Sequence, residues 1–300
     1  MKFEEVQAFL GVGIVQQLAG IPKLSSVTEL RLRVGKPLII KLGTCEYGIT
    51  NGRLMAVGHN SYVPSYKDIL ETMERVSRNS YYAYEAELAM GYITLPGGHR
   101  VGVAGQALIE DGVMRAWKYI SAINIRIAHS VPGCANTVLP YIMCPHGGFL
   151  HTVVVAPPGC GKTTLLRDIV RQVSNTGITV GLVDERSEVA GCFQGVPQND
   201  VGLRTDVLDG CPKPIAMQML LRAMAPQVIA VDELGGERDA RAVQDVLSAG
   251  VKLLCTMHGA SFACAQKMGL TFFERYIVLG TGCKLLGVYD FTGECIRSLS

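Results

Sequence analysis

Nine residues, Ala156-Pro157-Pro158-Gly159-Cys160-Gly161-Lys162-Thr163-Thr164, separate an apolar run, His151–Val155, from a segment with helical periodicity over residues 162–174. A strand, a glycine-containing turn and a helix in immediate succession constrain this chain more than any other feature. Small residues in such a turn let backbone N–H groups converge on phosphate oxygens, and the helix start adds partial positive charge. The pattern predicts that Pro157, Pro158, Gly159, Cys160, Gly161, Lys162, Thr163 and Thr164 cradle ATP. In that arrangement Lys162 reaches the β- and γ-phosphates, the Thr163 hydroxyl ligates Mg2+, and Thr164 packs or assists. The usual pattern, GxxxxGK[ST], opens on glycine, where this chain has Ala156. Alanine serves if that position keeps a negative φ.

A second apolar strand, Val228–Val231, ends in Asp232-Glu233. In a doubly wound sheet the carboxyl ends of the strands face the ligand crevice. Asp232 is therefore expected to hold Mg2+ through its water shell, and Glu233 to polarise an attacking water. The strand Ile178–Val183 ends similarly in Asp184-Glu185. Glu185 is either a second water-orienting group or an ion-pair partner for Arg186. His258, at the tip of the run Val251–Thr256, is placed to contact the γ-phosphate.

Phosphoryl transfer gathers negative charge on the γ-phosphoryl oxygens, and an arginine from a neighbouring subunit is a common remedy. Arg31, Arg33, Arg100, Arg126, Arg204 and Arg222 are the candidates for such a role in trans, with no signal that selects among them.

The second half alternates apolar strands with helices (162–174, 215–225 and 238–248), which predicts an α/β domain whose parallel sheet is covered on both faces. Two more strand-like runs follow residue 275. The first half is expected to be a smaller α+β domain. Its predicted elements are a helix over 2–19, strands at 29–34 and 37–42, and helices at 66–78 and 82–90. Tyr66, Ile69, Leu70 and Met73 share one face of the helix predicted over residues 66–78. Strands at 92–95, 100–108 and 121–128 complete this half. Breakers around Val131-Pro132-Gly133 and Pro145-His146-Gly147-Gly148 flank a short apolar helix, so the domains are drawn at 1–138 and 139–300.

Composition narrows the function classes. Charged residues are 18% of the chain and the formal net charge is +2, which excludes a strongly electropositive surface over the whole protein. The ten cysteines include no CxxC pair, so the thiols are expected to be reduced and without redox work, and metal ligation through Cys and the six His is not expected. The N-terminus does not read as a secretory signal, and no run approaches the roughly 18 apolar residues that span a bilayer. A mean hydropathy of +0.26 suggests extensive subunit or membrane-peripheral contacts for a protein that is cytoplasmic by default.

The motifs APPGCGKTT, VDERSE, LLRAMAPQVIAVDE and KLLCTMHG, in that order, resemble the ATPases that power type II and type IV secretion systems. An Arg-Asp pair that follows the acidic strand in that family is Gly235-Gly236 here. ELRLRVGKP, GYITLPGGHRVGVAGQ and INIRIA, taken with APPGCGKTT and DERSE, resemble the stage III sporulation protein AA family of endospore-forming bacteria. The resemblance implies a RecA-like P-loop NTPase core preceded by the smaller domain, and Mg2+-dependent ATP hydrolysis by a homo-oligomeric ring, a hexamer by likeness to the secretion ATPases. It also implies a place on the mother-cell side of the membrane, with membrane proteins of a sporulation channel as partners.

Three other classes compete. A RecA-like nucleic-acid translocase would use the same loop and histidine, but it calls for a basic channel with stacking aromatics. The chain has one tryptophan and nearly balanced charge, so nucleic acid is not the expected partner. An ATP-dependent assembly switch or scaffold would need no water-activating carboxylate. A small-molecule kinase ranks last, because no lid segment is recognisable.

Overall fold

The computed structural model describes residues 2–22, 24–78, 80, 84–144, 147–235, 237–267 and 272–298. The chain forms two compact units, residues 1–129 and 130–300.

In the first unit, α1 (Lys2–Gln7) and α2 (Val12–Leu18) precede β1 (Val27–Arg33), β2 (Ile39–Leu42), β3 (Cys45–Thr50) and β4 (Arg53–Met55). Next come α3 (Tyr66–Val76), α4 (Glu85–Ala89), β5 (Tyr92–Leu95), β6 (His99–Glu110) and β7 (Val113–Arg126). The strands make one antiparallel sheet in the order β4-β3-β2-β1-β7-β6-β5. Alternation in β1 buries Leu30 and Leu32 and leaves Arg31 and Arg33 half-exposed, as a half-buried strand requires.

Three local expectations for this unit are corrected. The single helix over 2–19 is two helices. The N–H groups of Gly11 and Val12 turn to Thr72 Oγ1 at 3.0 Å and Glu71 Oε2 at 3.1 Å, so α2 starts afresh against α3. In α3 the buried face is Ile69, Thr72, Met73 and Val76, while Tyr66 and Leu70 are exposed. The strand expected at 121–128 is only the end of β7, a 14-residue strand. Register shifts between β6 and β7 break the two-residue alternation that would have revealed its first part.

The second unit runs α5 (Leu139–Ile142), β8 (Thr152–Ala156), α6 (Lys162–Asn175), β9 (Val180–Asp184), β10 (Thr205–Asp209), α7 (Lys213–Ala223) and β11 (Val228–Val231). It continues with α8 (Glu237–Ser248), β12 (Lys252–His258), α9 (Phe262–Lys267), β13 (Arg275–Leu279), β14 (Leu285–Asp290) and β15 (Cys295–Ser298). The sheet order is β10-β9-β11-β12-β8-β13-β14-β15. Pairing is parallel from β10 to β13 and antiparallel beyond, so the sheet is mixed, with an antiparallel edge of two strands.

Both faces are covered, which explains the continuous apolar strands. Val154, Leu182, Ala230, Leu254 and Ile277 face α6 through Leu165, Leu166, Ile169 and Val173. Their neighbours Val153, Val183, Ile229, Val231 and Leu253 face α7 and α8 through Met217, Leu220, Val243 and Val246. Each fully buried Val, Leu or Ile contributes about 1.5–3 kcal/mol. Ala135, Val138 and Ile142 join the α6 side of this core. β10 and the third strand of the tail were not anticipated from sequence. No described helix is long and apolar enough to cross a membrane.

Candidate functional site: a phosphate loop beside an acidic strand end

β11, β12 and β8 are adjacent and parallel, so their carboxyl ends lie side by side, with His258 in register with Ala156. Ala156 is the last residue of β8 and needs no positive φ, so the missing first glycine is accommodated. The turn itself requires glycine at two points, Gly159 at φ +73 and Gly161 at φ +86. A Cβ on Gly161 would also lie 3.1 Å from Cys283 Sγ.

Lys162 begins α6, and its side chain folds back under the loop. Nζ reaches Ala156 O at 2.9 Å, Pro157 O at 3.0 Å and His258 Nδ1 at 3.0 Å. Burial lowers the ammonium pKa, and the carboxylates of Glu233 and Asp232 oppose that.

Asp232 follows β11 and is held from two sides. Thr163 Oγ1 donates to Oδ2 at 3.0 Å, and Thr256 Oγ1 donates to Oδ1 at 2.7 Å. Burial raises this carboxyl's pKa, while the two hydroxyl bonds work in the other direction. Glu233 adopts the left-handed region at φ +56, rare for a residue with a side chain. Its N–H donates to Thr256 Oγ1 at 2.9 Å, which helps hold that conformation. Its Oε1 lies 2.9 Å from His258 Nε2, and its Oε2 lies 4.0 Å from Arg186 Nη1. A neutral imidazole with its proton on Nε2 satisfies both contacts of His258, accepting from Lys162 and donating to Glu233.

At the end of β9, Asp184 is buried and accepts three backbone N–H bonds. These come from Glu188 at 2.9 Å, Val189 at 3.0 Å and Ala190 at 2.8 Å. Burial pushes its pKa up to about 6 against these bonds. Arg167 of α6 holds the same loop by its carbonyls, donating to Val189 O at 2.5 Å and Glu188 O at 2.7 Å. The helix after the phosphate loop and the loop after β9 are thus tied together. Glu185 pairs with Lys213 at 2.7 Å, so of its two sequence readings the ion pair with Arg186 is replaced by one with Lys213. Arg186 stands instead against Glu233.

The candidate arginines are dispersed. Arg31 pairs with Glu29, Arg33 has a buried Nε without a hydrogen-bond partner, and Arg100 stacks over the Tyr92 ring at 3.6 Å. Arg126, Arg204 and Arg222 are exposed. The arginine brought to Glu233 within its own chain is Arg186, which the sequence reading considered only beside Glu185. Thr256 was missed as well. It is a hydroxyl in an otherwise apolar run, two residues from His258, and strand alternation places both on one face. That signal was readable.

The donor set suits Mg2+. The Asp232 carboxylate and Thr163 hydroxyl are hard oxygens 3.0 Å apart, and Mg2+ takes its remaining ligands from phosphates and water. Among the described residues no cluster of three or more His, Cys, Asp or Glu could hold a metal by protein ligands alone.

A parallel sheet with a phosphate loop after one strand, and an acidic strand end two strands away across β12, defines the RecA-like P-loop NTPase fold. Solved structures share it. The Legionella pneumophila ATPase DotB aligns with a TM-score of 0.56 and 15% identity, over 88% of this chain and 77% of that one. The pilus retraction motor PilT, solved with bound ADP, aligns at 0.53 and 13% identity, over 90% and 78%. The family described as sporulation stage III, protein AA, matches residues 1–296, and the chain belongs to it. Stage III sporulation protein AA of Bacillus subtilis (strain 168) is 38% identical over 312 residues, 97% of this chain and 96% of that protein.

Proposed function

We propose that this chain hydrolyses ATP with Mg2+ and works as an oligomeric motor, a hexamer in our reading, for a transenvelope channel in endospore formation. The observation that carries the chemistry is the chain of contacts from Lys162 through His258 to Glu233, beside the Thr163–Asp232 pair. A bound Mg2+ supplies neutralisation of charge developing on the phosphates. Thr163 and Asp232 hold it, directly or through water. Lys162 exchanges its carbonyl contacts for phosphate oxygens, and the backbone from Pro157 to Thr164 cradles them. Glu233 accepts a proton from the attacking water, and Glu185, fixed by Lys213, lines the same end of the sheet. One of Arg31, Arg33, Arg100, Arg126, Arg204 and Arg222 completes the site of a neighbouring copy. The secretion-ATPase fold and the family membership support the motor reading. Membrane proteins of the channel are the proposed partners, on the mother-cell side.

The test is steady-state ATP hydrolysis measured beside native mass at several protein concentrations. Specific activity that rises together with a ring-sized species is the expected result. A monomer hydrolysing at constant specific rate would sink the motor reading, and nucleotide-dependent assembly without turnover would favour the switch.

A further inference from the structure

β9 and β11 are adjacent and parallel, with Val183 in register with Val231, so Asp184-Glu185-Arg186 and Asp232-Glu233 leave the sheet side by side. Arg186 Nη1 lies 4.0 Å from Glu233 Oε2, and both side chains line one pocket with Glu185, Glu188 and Lys213. The chain around Arg186 is held on both sides. Before it, Glu185 pairs with Lys213 at 2.7 Å. After it, Ser187 Oγ donates to Asp209 Oδ1 at 2.6 Å, and Val189 O accepts from Asn199 Nδ2 at 3.0 Å as well as from Arg167. The loop thus presents Arg186 from a fixed base, and its long side chain sets where the guanidinium goes.

Ser187, next to Arg186, and Glu233, facing it, both adopt positive φ, at +53 and +56, although neither is glycine. Such conformations persist where surrounding contacts enforce them, and they gather at functional sites. The ion pair itself is loose. At 4.0 Å, between side chains that are both partly in water, it is readily exchanged for a stronger partner. A γ-phosphoryl group is such a partner, because it carries more charge than a carboxylate and offers the planar guanidinium two oxygens at once. The distance suits the exchange. A water activated by Glu233 sits about 3 Å from that carboxylate and about 3 Å from the phosphorus it attacks. A guanidinium beside Glu233 is then one side-chain rotation from the γ-oxygens.

We propose that Arg186 is a catalytic residue acting within its own chain, where it trades its pairing with Glu233 for the γ-phosphoryl oxygens of bound ATP. The proposal rests on the reading of this site as an ATPase. The exchange has two effects. Leaving Glu233 turns that carboxylate's Oε2 over to the attacking water. Arriving at the phosphoryl group places positive charge where negative charge accumulates in the transition state. ADP has no γ-phosphoryl group, so Arg186 separates ATP from ADP in binding as well as in turnover. This role is distinct from that of an arginine supplied by a neighbouring copy, since Arg186 and Glu233 meet within one chain.

The test uses the full chain with Mg2+, as wild type, Arg186→Ala, Arg186→Lys and Lys162→Ala. Affinities for ADP and for a fluorescent non-hydrolysable ATP analogue are measured beside steady-state hydrolysis. Arg186→Ala should bind ADP as wild type does, which also reports that it has folded. It should bind the analogue at least about tenfold more weakly and turn over ATP about 10²–10³-fold more slowly. Arg186→Lys should keep part of both, since it retains the charge and loses the second hydrogen bond. Arg186→Ala mixed with Lys162→Ala should recover no turnover. Recovery would show that a neighbouring chain supplies the arginine, and it overturns the assignment within one chain. Slow turnover with an unchanged preference between analogue and ADP would mean that Arg186 acts only through Glu233, and it overturns the phosphoryl contact. Loss of ADP binding in Arg186→Ala would make the residue structural and likewise overturns the proposal. Wild type that binds neither nucleotide refutes the ATPase reading and the role of Arg186 with it, whereas active wild type matched by Arg186→Ala refutes Arg186 alone.

Discussion

His258 stands 2.9 Å from Glu233, Nε2 to Oε1, with its other ring nitrogen 3.0 Å from Lys162 Nζ. One imidazole therefore links the cation proposed to reach the phosphates with the carboxylate proposed to act on the water. Withdrawing Lys162 from this contact would release the acceptor nitrogen of the ring.

Replacing His258 with alanine removes that link and leaves both end groups in place. Turnover is expected to fall by about 10- to 100-fold with a smaller change in affinity, since the ring orients groups more than it binds phosphate. Separate measurement of kcat and nucleotide Kd checks this. A loss confined to Kd would make His258 a binding residue.

Lys162→Ala and Glu233→Gln should fail differently. Loss of the ammonium should abolish detectable nucleotide binding, because Lys162 is the cation folded beneath the loop. Glu233→Gln keeps the loop intact, so ATP should still bind while hydrolysis falls by about 10²–10⁴-fold. Equilibrium binding and phosphate release on both variants test the pair, and unchanged turnover in Glu233→Gln would remove it as the base.

Thr256→Val preserves shape and deletes one hydroxyl that serves two partners, Asp232 Oδ1 and the Glu233 N–H. Leaving such groups unsatisfied costs about 1–3 kcal/mol, readable by urea unfolding. The Mg2+ concentration needed for half-maximal activity should also rise, because Asp232 loses a restraint. A variant with wild-type stability and Mg2+ response would show that Thr256 only fills space.

Asp184 carries a pH signature. Its folded pKa of about 6 lies above the ordinary 3.8, so the folded protein holds this proton more tightly than the unfolded chain. The associated stability is complete below about pH 4 and is lost as pH rises through about 6, roughly 3 kcal/mol in all. Burial shifts Asp209 and Asp232 in the same sense, so the informative quantity is the difference from Asp184→Asn. Urea unfolding from pH 4 to pH 7 should show wild type losing more stability than the variant by that amount. Parallel profiles would mean that the three N–H bonds keep Asp184 ionised.

Where a local pattern has one physical solution, the sequence was sufficient. A strand, a turn with glycines at two positive-φ points and a helix beginning Lys-Thr can only close one way. The predicted bounds of β11 and its acidic end correspond to the observed strand. Expectations failed where several weak preferences competed. The helix over 2–19 split because two N–H groups found better acceptors on α3, and the first part of β7 was hidden by bulges that erase alternation.

Sequence by itself determined the elements of the second unit from β8 to β12, β10 excepted, and the identity of Lys162, Thr163, Asp232, Glu233 and His258 as candidates, because each sits at a strand end or helix start that local rules define. Only the tertiary structure decided who touches whom. It placed Glu185 with Lys213, Arg186 with Glu233 and Thr256 on Asp232. Those pairings depend on strand order and parallel register. Contacts between residues 23 to 47 positions apart are selected by burial of the whole sheet, which no local window of sequence encodes.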